Sequence, residues 1–318
     1  MKKRQNFELP TIDNSTYAGE AASDFIAAAL LSAKTLDNNL VTLHPNVKFR
    51  EVIQKLDVDG IVHDASCDFV SSGSVAITER ELTPKELQVN LKLCKKTFTD
   101  SWEALSLGYS AFDEIPRNFT DYLVSYVGGK VAEATEISIW QGSGATNGQF
   151  QGFEPAFAES IATAPAGTKV IAGDTSGSVD STNVIAALTD VYNKIPDTVF
   201  GKEDLVIYAG TQVVKAYQQA LSGVTNVGSF NNQLNVGEKP SNFQGIEIVL
   251  CPGMIAGSIV AAQKSNLHFG TGLMSDYNEV RVLDMAKLDG SQNFRIIMRY
   301  TADTEFGIGN EIVYRTGA

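Results

Sequence analysis

Residues 118–144 read NFTDYLVSYVGGKVAEATEISIWQGSG, and this segment is the most informative part of the sequence about its architecture. Its apolar side chains recur mostly at steps of three and four residues, the spacing of one helix face. They are Phe119, Tyr122, Leu123, Tyr126, Val127, Val131, Ala134 and Ile137. The spacing predicts a helix from Asn118 to Gln141, about 36 Å long. Asn118 can cap its start, and Gly142 ends it.

Two segments upstream of this helix alternate apolar and polar residues with the period of two that is typical of β-strands. Residues 87–93 read LQVNLKL, and Val75–Leu82 precede them. Because only residues 83–85, Thr-Pro-Lys, lie between the two segments, we predict one long hairpin over Val75–Phe98. A two-stranded ribbon is marginally stable alone, so its apolar face must be covered by the same chain or by a neighbour.

The chain downstream of the long helix alternates predicted helices and strands. Residues 142–177 are rich in Gly, Ala, Thr and Ser, which predicts loops with short extended pieces. Asp180 can cap a helix whose apolar stripe runs from Val184 to Ile195 and that Pro196 ends. The remaining predicted elements are strand Leu205–Ala209, helix Thr211–Leu221, a long polar loop Ser222–Gly245, strands Ile246–Leu250 and Ser258–Ala262, and a largely β tail from Glu279 to Tyr314.

The first 40 residues have the composition of an extended arm with one short alanine-rich helix, Ala21–Ala33. Val47–Leu56 follow as a mixed segment that we expect to end at a turn over Asp57–Gly60. The longest apolar run, Phe25–Leu31, is far shorter than the roughly 20 residues that a membrane-spanning helix needs. Since the layout of a secretory signal is also missing, we expect a cytoplasmic product without a membrane partner.

Composition and charge narrow the classes of function. The chain has 318 residues, of which 43% are hydrophobic and 19% charged, as in ordinary globular proteins. Its formal net charge is -12, whereas a surface that binds DNA normally carries a basic patch. Tight nucleic-acid binding is therefore not expected.

The cysteines Cys67, Cys94 and Cys251 are odd in number and widely spaced, so they predict neither a disulfide framework nor a metal site.

Motifs that would indicate catalysis or cofactor binding are missing. His44, His63 and His268 are far apart in sequence and form no HxxxH or HExxH pattern. Gly142, Gly144 and Gly148 depart by one residue from the dinucleotide fingerprint and follow a helix, where that fingerprint must follow a strand. A phosphate-binding GxxxxGK and a GxSxG are absent from the sequence.

Two other arrangements have features that enzymes use. Trp102 and Trp140, with Tyr122 and Tyr126, could line a ligand cleft, but aromatic residues at helical spacing usually belong to a core. The sequence does not exclude a pair of carboxylates that the fold brings together as an acid–base pair. We predict no enzyme, and assign no catalytic, cofactor-binding or metal-ligating residue and no cofactor.

The order of these elements and the residue patterns of three segments resemble those of the major capsid protein of tailed bacteriophages. This is the Hong Kong 97-type fold, which encapsulins share. Glu136–Gly144 resembles the end of the family's long spine helix. Asn242–Val249 resembles its loop, glycine and strand return, and Asn266–Leu273 resembles the start of its closing sheet. The resemblance extends over nearly the whole chain.

The resemblance implies an α+β, Hong Kong 97-like capsid fold with the following divisions. Residues 1–40 are the N-terminal arm, 41–100 an extended segment with the E-loop hairpin, 101–178 a peripheral domain with the spine helix 118–141, 179–265 an axial domain, and 266–318 the closing β tail of the peripheral domain.

The resemblance also implies a structural function. Copies of the chain would assemble as hexamers and pentamers into an icosahedral shell that encloses double-stranded DNA without binding it specifically. Portal, scaffolding and decoration proteins would be its partners, with assembly in the host cytoplasm and residence in the virion capsid. The family's longer N-terminal scaffolding segment is missing here, so a separate scaffold or none is implied. The alternatives are an encapsulin nanocompartment shell and an acidic soluble α+β hydrolase or binding protein.

Three expectations concern contacts between subunits. The hairpin Val75–Phe98 should pack on an adjacent subunit, so Leu91→Asp should block assembly and leave the monomer folded. The loop Ser222–Gly245 should lie near the capsomer centre and differ between pentamers and hexamers. The arm, residues 1 to about 35, should be ordered only by contact with other subunits.

Overall fold

The structure is a computed structural model that describes residues 15–18, 33–59, 62, 64, 65, 67, 73–94, 117–222, 242–272, 279–286, 288–291 and 293–317. The predicted helix Ala21–Ala33, apart from its last residue, lies outside the described residues. So does most of the predicted loop Ser222–Gly245, and these two predictions stay untested.

The described elements include two runs of consecutive strands, one before the long helix and one at the end of the chain. In order they are β1 Ser15–Ala18, α1 Lys34–Asp37, β2 Thr42–His44, β3 Glu51–Asp59, β4 Ser74–Leu82, β5 Lys85–Cys94, α2 Arg117–Gln141, α3 Phe153–Thr163, β6 Ile171–Ala172, α4 Val184–Asn193, β7 Leu205–Ala209, α5 Thr211–Ser222, β8 Asn242–Phe243, β9 Ile246–Leu250, β10 Ile259–Gln263, β11 Leu267–Thr271, β12 Glu279–Asp284, β13 Asn293–Phe306 and β14 Val313–Arg315. Within the described residues, no helix is both long and apolar enough to cross a membrane.

The predicted long helix is confirmed as α2, which starts one residue before Asn118 and ends at Gln141. The backbone N–H of Gly142 donates to the carbonyl of Ser138 at 3.1 Å and completes the last turn. A Cβ atom on Gly142 would lie 2.3 Å from the carbonyl oxygen of Phe150. The chain must therefore turn sharply here, and glycine is required for that turn.

The prediction of a hairpin over Val75–Phe98 is wrong about which strands pair. β4 pairs antiparallel with β3, from Glu51 opposite Leu82 to Asp59 opposite Ser74, so the hairpin spans residues 51–82. β3 continues through the turn predicted at Asp57–Gly60, at least to Asp59. β5 instead pairs antiparallel with β13. The physical reason is that β13 offers an equally apolar face directly opposite the leucines of β5.

The first sheet collects strands from both ends of the chain. Its order is β1-β12-β13-β11-β2, with β5 also paired to β13. β1 comes from the predicted arm and pairs with β12 of the same chain, Ser15 opposite Val282. The expectation that the arm is ordered only by other subunits is therefore wrong for Ser15–Ala18, because their backbone hydrogen bonds are made within the chain.

The second sheet has the order β6-β14-β10-β7-β9-β8. The predicted strands Leu205–Ala209 and Ile246–Leu250 are confirmed with their bounds, and β10 lies one residue later than predicted. This sheet also takes in β6 and β14, which come from outside residues 179–265. The end of the predicted closing tail thus pairs into the second sheet.

Helix α3 corrects the prediction of loops over residues 142–177. Phe153 and Phe157 lie one turn apart and are both fully buried, and Ser160 continues the same face. Four glycines, at 142, 144, 148 and 152, and the small residues around this segment concealed the helical spacing. The helix predicted after Asp180 is confirmed as α4, but its predicted cap is wrong, because Asn183 is the N-cap and makes no side-chain capping bond. Asp180 instead accepts hydrogen bonds from the backbone N–H groups of Thr182 and Asn183 in the turn before the helix.

Two hydrophobic clusters form the core. The first lies between α2, α3 and the faces of both sheets and is rich in aromatic rings, with Trp140 5.4 Å from Phe153 and Phe157 5.3 Å from Phe306 between centroids. The second lies between the second sheet and helices α4 and α5. The chain therefore has two packed layers of helix on sheet, joined through residues of the first cluster.

Candidate functional site

The hairpin β3–β4 is the feature of the described chain that projects from the packed layers. Its base is held by Leu82, which is fully buried, and a Cβ atom on Gly270 of β11 would lie 2.5 Å from the Leu82 side chain. Glycine at 270 thus leaves the space that Leu82 fills. The hairpin is anchored at its base and is otherwise paired only with itself among the described strands.

A chain of three polar side chains links the first hairpin strand to the sheet. His44 Nδ1 lies 2.8 Å from Glu51 Oε1, and His44 Nε2 lies 3.1 Å from Nδ1 of His268. The two histidines meet because β2 and β11 are parallel neighbours, with Gly270 opposite His44. Burial, and next the nearby His44, lower the pKa of His268 to about 4. His268 is therefore neutral at pH 7 and can donate its Nδ1–H to His44.

The second hairpin strand is held by an ion pair. Arg80 Nη1 donates to Glu305 Oε1 at 3.0 Å, and its guanidinium carbon lies 3.7 Å from the centre of the Phe306 ring. Just past the hairpin, the backbone N–H of Thr83 donates to Asp303 Oδ2 at 2.9 Å. Burial raises the pKa of Asp303 to about 6, and burial likewise raises the pKa of Glu305. The base is thus a partly desolvated polar clasp.

Beyond this clasp the hairpin exposes apolar side chains. Ile77 is 59% exposed, and Val52 and Phe49 are also exposed. The register places Val52 opposite Glu81 and Leu56 opposite Ile77, and alternation puts positions 52, 56 and 77 on one face. We call Val52 and Ile77 the hairpin apolar face. A two-stranded ribbon with such a face needs a partner surface to be stable.

A second exposed apolar surface lies on α2. Tyr126, Lys130, Glu133 and Ile137 are exposed at steps of four, three and four residues, which forms one ridge along the helix. Lys130 and Glu133 form an ion pair of 2.8 Å in the middle of this ridge, and Tyr126 and Ile137 are its apolar ends. We call this set the α2 ridge.

The end of the predicted arm packs on α2 and β7, with Ala33, Thr35, Leu36 and Leu40 buried. The backbone N–H and the hydroxyl of Thr35 both donate to the Glu136 carboxylate, at 2.9 and 2.7 Å. Trp140 Nε1 donates to the Thr35 hydroxyl at 2.8 Å, and the Tyr208 hydroxyl donates to the carbonyl of Leu40 at 2.6 Å. This part of the arm docks on its own chain, which corrects the expectation for residues 33–35.

Among the described residues, those considered for chemistry form no catalytic arrangement, and Trp102 lies outside the described residues. His63 lies outside the described residues, whereas His44 and His268 meet at the hairpin base as structural partners. Sequence reasoning missed this pair because the parallel pairing of β2 with β11 joins segments far apart in the chain. Trp140 is fully buried in the core and lines no cleft. Among the described residues, no group of three or more His, Cys, Asp or Glu could hold a metal ion.

No protein-family model matches the sequence, and none of the curated proteins matches it at a significant level. Solved structures match over the whole chain. The capsid of a native GTA particle aligns with a TM-score of 0.58 and 13% identity, covering 100% of this chain and 96% of that chain. The chain has the fold of phage capsid proteins. The capsid of Myoviridae phage XM1 aligns at a TM-score of 0.53 and 10% identity, covering 99% of this chain and 97% of that one.

A virus-like particle from Pyrococcus furiosus shares this capsid fold at a TM-score of 0.50 and 8% identity, covering 93% of this chain and 98% of that chain. The predicted resemblance is thus confirmed at the level of the fold, and so is the α+β class.

Proposed function

We propose that this chain is the major capsid protein of a tailed bacteriophage and acts by assembling, through contacts between its own copies, into an icosahedral shell around double-stranded DNA. The observation that carries the proposal is the likeness to capsid structures over the full length, which accounts for both sheets, the long helix and the hairpin together. We further propose hexamers and pentamers as the building units, with no enzymatic activity.

The hairpin supports assembly because it cannot cover its own apolar face. Among the described residues, the contacts of the hairpin with the chain's own sheet lie at its base, at Glu51, Arg80 and Leu82. Ile77 lies beyond that base with more than half of its surface exposed. We therefore propose that the hairpin apolar face packs on an adjacent copy, as expected from the sequence but with strands 51–59 and 74–82.

The α2 ridge is a suitable receiving surface on that copy. Its ends, Tyr126 and Ile137, are apolar and exposed, and its centre carries the Lys130–Glu133 pair. The hairpin has charged side chains beside its apolar ones, with Arg50 donating to Glu81 at 2.7 Å and Gln54 donating to Glu79 at 2.7 Å. Apolar and charged groups therefore occur on both surfaces, as at ordinary protein interfaces.

The charge of the chain fits a container for DNA. A net charge of -12 disfavours tight binding of packaged DNA to the shell wall. We propose that DNA is enclosed without specific contacts, with assembly in the host cytoplasm and with portal, scaffolding and decoration proteins as partners. An encapsulin shell is the alternative with the same fold, and nothing in the described residues favours it separately. The fold gives no support to a hydrolase or small binding protein.

The test is to purify the full chain after expression and analyse it by size-exclusion chromatography and electron microscopy. The proposal predicts closed shells, or capsomers that close when a scaffolding protein from the same genome is added. A monodisperse particle of about 34 kDa under both conditions would contradict it. A terminase and a portal encoded beside the chain favour the phage shell, whereas a cargo enzyme encoded there favours the encapsulin.

A further inference from the structure

Among the described strands, β5 is an edge strand that is paired on one side only. It pairs along all ten residues with β13, from Cys94 opposite Asn293 to Lys85 opposite Ala302. No other described strand pairs with it. In an antiparallel pair, every second residue points its N–H and C=O away from the partner. Within the described part of the chain, the outward backbone donors and acceptors of β5 have no strand partner, and such a row is a template for another strand.

The side chains of β5 are also incompletely covered. Met298 and Ile296 of β13 are each 1% exposed, while their neighbours on β5 are more open: Val89 is half-buried and Leu91 is 39% exposed. Burial thus falls off from β13 to β5 at Val89 and Leu91, whereas Leu87 near the start of the strand is buried. A further strand beside β5 would supply the missing cover.

From these two observations we infer that the β5 edges of two copies of this chain pair antiparallel about a local two-fold axis. Because side chains alternate across a strand, the apolar faces of two such strands coincide only in every second register. With Val89 opposite Val89 of the second copy, Leu87 lies opposite Leu91, and both apolar pairs are repeated by the symmetry.

The same register matches the charges on the other face. Glu86 then lies opposite Lys92 of the second copy, also twice, and Gln88 lies opposite Asn90. Moving to the next allowed register places Glu86 opposite Cys94 and Lys92 opposite Gln88, so both charge pairs are lost. The sequence of β5 is thus self-complementary in one register, and opposite charges directly across antiparallel strands are stabilising.

The occupant is a second copy because the pattern that completes the edge is the pattern of β5 itself. A symmetric contact needs each residue type and its complement on one strand, and β5 has Glu and Lys at equal distances on either side of Val89. The inference rests on the proposed function insofar as copies of the chain must meet, but it concerns a contact that can be measured separately from shell formation.

The first test is disulfide crosslinking of the full chain. In a Cys67→Ser, Cys94→Ser background, Val89→Cys should give a crosslinked dimer on a non-reducing gel after mild oxidation. The matched control is the chain with its native Cys94, which is exposed. In the inferred register the two Cys94 residues lie about 34 Å apart along the paired strands, so they should not crosslink. A Cys94–Cys94 dimer would overturn the register.

The second test is a charge swap, which leaves the apolar face unchanged. Lys92→Glu should weaken dimer formation about tenfold or more, because both symmetric charge pairs become repulsive. Glu86→Lys alone should do the same, and the double variant should restore the wild-type level. Equal dimerisation by all four proteins would overturn the inference.

The outcomes separate this inference from the proposed function. Shells that form without a Val89→Cys crosslink and without any effect of the charge swap refute the edge pairing and leave the capsid function standing. Backbone amides of β5 that become protected from hydrogen exchange on assembly, again without the crosslink, mean that another segment occupies the edge. A dimer without shells refutes the capsid function alone.

Discussion

The hairpin apolar face can be tested by placing a charge at its most exposed apolar position. Ile77→Asp removes an isoleucine that is 59% exposed in the isolated chain. Full burial of such a side chain stabilises by about 1.5–3 kcal/mol, so the exposed part can contribute about 1–2 kcal/mol at an interface. Burying the new carboxylate without a partner adds a penalty of about 1–3 kcal/mol. The contact should therefore weaken by about 2–5 kcal/mol, or at least about thirtyfold.

The assay compares shell yield and the critical concentration for assembly, with circular dichroism as the check on folding. Leu288→Asp is the matched control, since Leu288 is equally exposed, at 60%, but lies in the turn between β12 and β13. We expect the Ile77 variant to stay a folded, unassembled subunit and the Leu288 variant to assemble. Wild-type assembly by Ile77→Asp would refute the reasoning, and so would equal loss in both variants.

Three further predictions concern the interior of the chain: two buried polar side chains and one tightly packed glycine. Burial raises the pKa of Glu154 from its ordinary 4.5 to about 7, so ionisation of Glu154 lowers the unfolding free energy as pH rises through this window. Glu154→Gln should therefore raise the unfolding free energy by about 3 kcal/mol at pH 8 and change it little at pH 4. Denaturant melts at both pH values test this. Thr35→Val removes a hydroxyl that contacts Glu136 and Trp140, and should lower the unfolding free energy by about 2–4 kcal/mol in the same melts, whereas Thr35→Ser should recover most of it. Gly253→Ala would place a Cβ atom 2.0 Å from the backbone oxygen of Glu136 and should destabilise by at least about 3 kcal/mol, so an unchanged melting temperature would contradict the packing described.

Local signals in the sequence were sufficient where an element is defined by its own periodicity and caps. The α2 helix has its apolar spacing and a terminal glycine, and α4 has an apolar stripe that starts at Val184, so both were predicted closely. Strand β7 is a five-residue apolar run between helices and was predicted with its bounds. The helix α3 was missed because the small residues around Phe153 and Phe157 resemble a loop.

Partners distant in sequence were not predictable from local patterns. β4 and β5 are separated by two residues, which favours a hairpin by proximity, yet β5 pairs with a strand some 200 positions later. Alternation shows which face of a strand is apolar but not which strand completes it. The His44–His268 contact and the clasp of Arg80 on Glu305 depend on this pairing, and so the base of the hairpin was not predicted.

The central claim is that residues 51–82 join one copy of the chain to the next in a closed shell. A cryo-electron microscopy map of the purified assembly tests it most directly, because both the symmetry and the path of the hairpin can be traced. The account predicts an icosahedral shell in which Val52 and Ile77 contact an adjacent copy. A shell in which the hairpin folds back on its own chain, or a particle without icosahedral symmetry, would contradict it.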